Sequence, residues 1–169
     1  MPPARVATPP PFGALVEAHA ATVARFLRGM VAAGDVDDLL QETLIAALRS
    51  YLRFDGSNPR AWLLRIARNK AIDEHRARGR RPERLEEPDE HRGRDMAPRM
   101  VDADSDLWSA VARLPEKQRA SVVLRFAIDL RYREIGVALG CSEAAARRSV
   151  HEAIRSLRSS NEIRSEAMR

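Results

Sequence analysis

Apolar residues recur at three- and four-residue steps along most of the chain, and no segment alternates apolar with polar as a strand would. The first run is Leu15, Val16, His19, Val23, Phe26, Leu27, Met30 and Val31. It predicts a helix that starts at Phe12 and is closed by Gly34. Asp35 is placed to cap a second helix. The apolar face of that helix would be Val36, Leu39, Leu40, Leu44, Ala47, Leu48 and Tyr51, with Asp37, Asp38, Gln41, Glu42 and Arg49 opposite. The stretch FDGSNP, 54–59, consists of turn formers. Asn58 can cap a third helix and Pro59 suits its first position. That helix, running to about Gly79, would turn Trp62, Leu63, Ile66 and Ala67 toward the core. The period then disappears until Leu107, Val111 and Leu114 mark a short helix face. Pro115 opens another helix over PEKQRASVVLRFAID, and LRYREIGVALGCSEAAARRSVHEAIRSLR (130–158) follows.

The expected fold class is all-α, with two small helical domains joined by a flexible linker. Residues 1–11 hold five prolines and little to bury, so they read as a disordered tail. The first domain would be 12–81 and the second 106–159, with a C-terminal tail over 160–169. Residues 82–105 have no apolar period, three prolines and mostly acidic charge. A connection of that length is unusual inside one compact domain, which argues for two.

Charge changes the picture through its placement. The net charge of +5 is too small to name a partner. However, 65–81 concentrates Arg65, Arg68, Lys70, Arg76, Arg78, Arg80 and Arg81, the connector is acidic, and basic residues lead again from Arg113. Two basic regions flanking an acidic linker suit a polyanion held at two places. Two solvated helix surfaces and a soluble connector would account for the same charges. Cys141 is the only cysteine, which excludes an internal disulfide and a cysteine-based zinc site. The histidines have no metal-ligand spacing, and His19 reads as a packed residue. No apolar run is long enough for a membrane span. Prolines 9 to 11 stand where a secretory signal would be apolar. A cytoplasmic protein is expected, with no membrane insertion.

Two constellations carry chemistry. In the second domain, Ile135, Ala138 and Leu139 edge a short helix, Gly140 permits a left-handed turn, and Ser142 caps the next helix. There Ala146, Val150, Ala153, Ile154 and Leu157 would face inward, with Arg147, Arg148, His151, Arg155 and Arg158 outside. This order fits a helix-turn-helix whose second helix enters the major groove. An ordinary helical hairpin with a basic surface is the plainer reading. In the first domain, Arg65, Arg68 with Asn69, Ile72 with Asp73, and Arg76 share one stripe of the third helix. Asn69 both donates and accepts, and Asp73 accepts, so the stripe suits exposed base edges as well as phosphate. An intrahelical salt network explains the same residues.

The combination in order is DVDDLLQETLIAAL, AWLLRIARNKAIDEHRARGRR, an acidic linker, LPEKQRASVVLRF and the helix-turn-helix. It resembles bacterial RNA polymerase sigma factors of the extracytoplasmic function (ECF) type over about residues 12–158. The resemblance implies sigma region 2 in the first domain and region 4 in the second. It implies that Asp38, Gln41 and Glu42 dock on the clamp helices of the polymerase β′ subunit. It assigns Ser57, Asn58, Arg65, Arg68, Asn69, Lys70, Asp73, Arg76, Arg80 and Arg81 to the −10 element, where the 54–58 loop would capture a flipped base. Ser142, Arg147, Arg148, His151 and Arg155 would serve the −35 element. Core RNA polymerase, promoter DNA and an anti-sigma factor are the implied partners. No cofactor, metal or catalytic role is implied.

The chain departs from the family at Ala144, Ala145 and Ala146, where a Gly-Thr-Val-like triplet is common, and at Glu152, where a basic residue is common. The competing expectation is an autonomous helix-turn-helix regulator whose front lobe binds another protein. A nucleic-acid enzyme is disfavoured, because Asp35, Asp37 and Asp38 have no neighbouring histidine or second acidic cluster to complete a metal site.

Overall fold

A computed structural model describes residues 9–80 and 105–167, with side chains over 9–79 and 107–160. The tail at 1–8, the connector from 81 to 104, Arg81 and the side chain of Arg80 lie outside the described residues. The described residues are helical, with no strand, as the spacing predicts. The first lobe is α1 (Phe12–Arg28), α2 (Val36–Ser50) and α3 (Pro59–Arg80). The second is α4 (Ser105–Ala112), α5 (Glu116–Val122), α6 (Tyr132–Leu139) and α7 (Glu143–Ala167). α5 widens into a π-helical turn over Val123–Ala127.

α1 ends earlier than its apolar period suggests. Gly29, not Gly34, closes it, and Met30 and Val31 fold back with their N–H groups on the Leu27 carbonyl, at 2.9 and 3.0 Å. Asp35 does not cap α2. Ala33–Asp35 already curl into a 3-10 turn, so the Asp35 backbone is right-handed where a capping residue is extended. Its carboxylate pairs instead with Arg78, near the far end of α3. Asn58 does cap α3: its Oδ1 accepts the Ala61 N–H at 3.0 Å.

The buried face of α2 is Val36, Leu39, Thr43 and Ala47. Leu48, expected inside, is 56% exposed. Thr43 and Ala47 are small and face the neighbouring helices. The Thr43 hydroxyl is satisfied by the Leu39 carbonyl at 2.7 Å. α4 also differs, because Leu107 points outward while Val111 and Leu114 are buried. α7 continues to Ala167, through most of the 160–169 stretch expected to be a tail.

One continuous core runs through both lobes. It includes Phe26, Leu39, Leu63 and Leu64 from the first, and Leu114, Val123, Leu124, Leu130, Ile135 and Ala146 from the second. The buried Ser149 hydroxyl meets the Ser121 hydroxyl at 2.8 Å, tying α7 to α5 with both polar groups paired.

His19 is packed, as its stripe predicts. Burial, and then the nearby Arg60 guanidinium, lower its pKa below the ordinary histidine value. The folded state therefore binds the His19 proton less readily than the unfolded state. The associated stability is complete above the unfolded pKa and is lost as pH falls through the lowered folded value. Acid titration of the melting temperature should therefore fall off less steeply below about pH 6.5 in His19→Gln than in the wild type. Identical slopes would remove His19 as a source of acid sensitivity.

Candidate nucleic-acid interface

The 54–58 loop is anchored at both ends. Phe54 is buried, and its ring stacks on Trp62 of α3 at 4.4 Å between centroids and 20° between planes. Asn58 is held by its cap to α3. Between them, Asp55 Oδ1 accepts the Ser57 N–H at 2.9 Å, which lowers the Asp55 pKa. The loop thus rests on the helix that carries the mixed stripe, and Ser57 is exposed at its tip.

On α3, Arg65, Asn69, Asp73 and Arg76 are exposed along one side. Ile72, next to them, is buried. Two cations assigned to the same surface are already engaged. Lys70 Nζ lies 3.1 Å from Glu42 of α2, and Arg68 lies 3.5 Å from Glu116 of α5. Lys70 and Glu42, assigned to different partners, thus face each other between α2 and α3. Arg78 lies between Glu74 and Asp35, whose hydrogen bonds raise its pKa.

α2 presents Asp38, Gln41 and Glu42 outward. The same exposed line continues through Ile45, Leu48 and, past the helix end, Leu52, which are 50, 56 and 97% exposed. Positions 38, 41, 45, 48 and 52 alternate three- and four-residue steps, the pattern of a seam against another helix. Sequence reasoning missed this apolar half. Its apolar residues continue the same stripe as the buried ones in sequence, and only the packing of Thr43 and Ala47 against the neighbouring helices separates the two sides.

The second lobe forms the expected helix-turn-helix. Gly140 closes α6 with φ 65°, and the Cys141 N–H reaches the Gly136 carbonyl at 2.8 Å. Ser142 Oγ accepts the Ala145 N–H at 3.2 Å, capping α7. Arg147, Arg148, His151 and Arg155 are all exposed. Arg147 is held in place: Glu143 lies 3.1 Å from its guanidinium, which sits 5.1 Å over the Tyr132 ring. Arg125 lies over the same ring at 5.4 Å.

A helical lobe with a mixed polar stripe beside an anchored loop, and a second lobe with a capped recognition helix, define a DNA-binding protein built for two contacts. Its residues 15–81 match Sigma-70 region 2, and 105–157 match Sigma-70, region 4. The chain belongs to the sigma-70 family, and its relatives place it among the ECF RNA polymerase sigma factors. It is 37% identical over 136 residues to the ECF sigma factor SigF of Caulobacter vibrioides, covering 79% of this chain and 75% of that one. It is 38% identical over 130 residues to SigE of Mycolicibacterium smegmatis, covering 73% of this chain but 51% of that longer relative. Among solved structures, CnrH in complex with the cytosolic domain of CnrY superposes with a TM-score of 0.66 at 26% identity, over 90% of this chain and 88% of that one. Because region 2 accounts for the front lobe, an autonomous regulator is not favoured. No helix among the described residues is long and apolar enough to cross a membrane.

Proposed function

We propose that the chain brings core RNA polymerase to promoters and starts strand opening at the −10 element without catalysing a reaction itself. The carrying observation is the 54–58 loop, fastened to α3 by the Phe54–Trp62 stack and the Asn58 cap, beside exposed Asn69 and Asp73. A base leaving the duplex costs a few kcal/mol. A loop held in advance has less ordering to do when the base arrives. Asn69 and Asp73 offer donors and acceptors for its edge, and the cations of α3 serve the flanking phosphates. Ser57, Arg65, Arg68, Lys70 and Arg76 complete this −10 surface; Arg80 and Arg81, assigned to it by sequence, lie outside the described side chains.

The α2 line is the polymerase-docking surface, with Asp38, Gln41 and Glu42 at its polar end and Ile45, Leu48 and Leu52 at its apolar end. A paired-helix partner such as the β′ clamp fits its spacing. Ser142, Arg147, Arg148, His151 and Arg155 read the −35 element. The protein works in the cytoplasm. An anti-sigma factor is its further partner, the class of protein with which RpoE of Bartonella quintana was solved in complex with NepR.

In vitro transcription with core polymerase on a genomic promoter library tests the role. Permanganate-reactive thymines should appear near −10 only when the chain and core polymerase are both present, and none on any template would discard the reading. Asn69→Ala should slow opening on a recovered promoter by about 3- to 10-fold, the loss of one or two hydrogen bonds, with core affinity unchanged. Equal losses of both would remove Asn69 from base capture.

A further inference from the structure

Among the described side chains of α7, two are carboxylates, Glu143 and Glu152. Glu143 stands four residues before Arg147 and pairs with it at 3.1 Å. Glu152 stands four residues after Arg148 and three before Arg155, yet it forms no ion pair or side-chain hydrogen bond among the described residues. The order of the charges explains the difference. An acid one turn before a base follows the helix macrodipole, and the reverse order does not. Glu143 is therefore neutralised in advance, whereas the Glu152 charge is left open.

Its position makes that charge matter. Ala146, Val150 and Ala153 are wholly buried and fix the inner side of α7. Glu152 lies on the exposed side with Arg148, His151 and Arg155, about 40° around the helix from Arg148 at about 100° per residue. Phosphate oxygens only accept, so a surface made for phosphate alone loses attraction by carrying a carboxylate there. In the major groove an acceptor can find two base donors, the N4 amino group of cytosine and the N6 amino group of adenine. Adenine sets its N7 acceptor beside N6, which repels a carboxylate. Cytosine has no acceptor beside N4 on its own edge of the groove.

We propose that Glu152 determines specificity in the −35 contact: its carboxylate accepts a hydrogen bond from the N4 amino group of a cytosine. The inference rests on the sigma-factor reading above. Exclusion is as much a part of it as attraction. Opposite guanine or thymine the carboxylate meets no donor, only acceptors or a methyl group, so it disfavours those bases. Glu152 follows Arg147 by five residues, about 7.5 Å along the axis at about 1.5 Å per residue. Base pairs are about 3.4 Å apart, so the cytosine lies about two base pairs from the pair that Arg147 meets.

The test is competition binding by the holoenzyme, the full chain with core polymerase, across every single-base variant of the −35 element of a recovered promoter. The wild type should favour cytosine at one pair by about 5- to 150-fold. Glu152→Ala should erase the preference at that pair and leave the others as they were. Its binding to templates without the cytosine should grow stronger, because a repelling charge has gone. A residue that only held the helix in shape would instead weaken every template. Glu152→Gln should move the preference toward adenine, whose N6 and N7 suit an amide. Both variants should melt as the wild type does, since the side chain is exposed and unpaired. The proposal is overturned if Glu152→Ala leaves the base profile unchanged, weakens all templates alike, or removes a preference for adenine instead. Any of these with preferences intact at other −35 pairs rejects the Glu152 assignment alone. A wild type with no preference at any −35 pair rejects it together with the sigma-factor reading.

Discussion

Leu48→Asp is expected to weaken assembly with core RNA polymerase by roughly two orders of magnitude, about 2–4 kcal/mol, the cost of desolvating an unpaired carboxylate in an apolar contact. Its effect on the free protein should be small. Leu48 is already 56% exposed, and substitutions at such positions change stability by about 0.5 kcal/mol or less. That contrast is what makes the experiment decisive, because a fold defect would lower the melting temperature and a docking defect would not. Asp38→Ala is the polar counterpart and should cost less. An exposed charge at the rim of a contact contributes mainly through long-range attraction, which salt screens. Titration of fluorescent core polymerase with each variant, beside thermal melts, separates these outcomes. Unchanged affinity in Leu48→Asp would show that the apolar end of α2 stays in solvent when the polymerase is bound.

Much of the fold was legible because its boundaries use residue types with few alternatives. Asn58 followed by Pro59 opens a helix in almost any context, and the structure has the Asn58 cap where the sequence puts it. Gly140 and Ser142 likewise set the helix-turn-helix through a left-handed turn and a cap, both local effects. What was not legible depends on partners far away in the chain. α2 carries apolar residues on two sides, Leu39 with Ala47 and Ile45 with Leu48. Only packing against α1 and α3 decides which side is buried. Asp35 has the chemistry of a cap, but a preceding 3-10 turn and a distant Arg78 claim it. Asp129 sits at φ 56°, a conformation glycine takes more readily, and nothing in its neighbours marks that turn.

The lobe contact was the least visible feature of all. Arg60, Arg68 and Arg119 look in sequence like surface cations, as do Arg65 and Arg76 of the proposed −10 surface. Their difference lies only in which carbonyl or carboxylate meets them: Ile128, Glu116 and Met30. The same side chain type thus stands both in the proposed nucleic-acid surface and in an internal contact on α3. This is why charge patterning alone did not separate a polyanion-binding surface from a contact between the lobes.

Arg147→Ala should reduce discrimination at the −35 element by about 1–3 kcal/mol at one base pair, roughly 5- to 150-fold, if its guanidinium makes a bidentate contact there. The placement favours such a contact. Arg147 lies one turn into α7, where a recognition helix comes nearest the base edges. Glu143 and the Tyr132 ring limit the directions its fork can take, so less rotamer freedom is lost on binding. The alanines at 144 to 146 carry no polar group, and the Ser142 hydroxyl is engaged as the helix cap, which places more of the recognition on this one arginine. Tyr132→Leu should produce a smaller loss of the same character, because the guanidinium would remain but its orientation would loosen. A cation–π contact at an exposed site is worth about 0.5–1 kcal/mol, which bounds that intermediate effect. Competition binding by the holoenzyme across a set of single-base −35 variants reads both substitutions. A phosphate-binding Arg147 would instead weaken every variant equally and reduce the salt dependence by about one counterion. That result would move base reading along α7 to Arg148, His151 and Arg155.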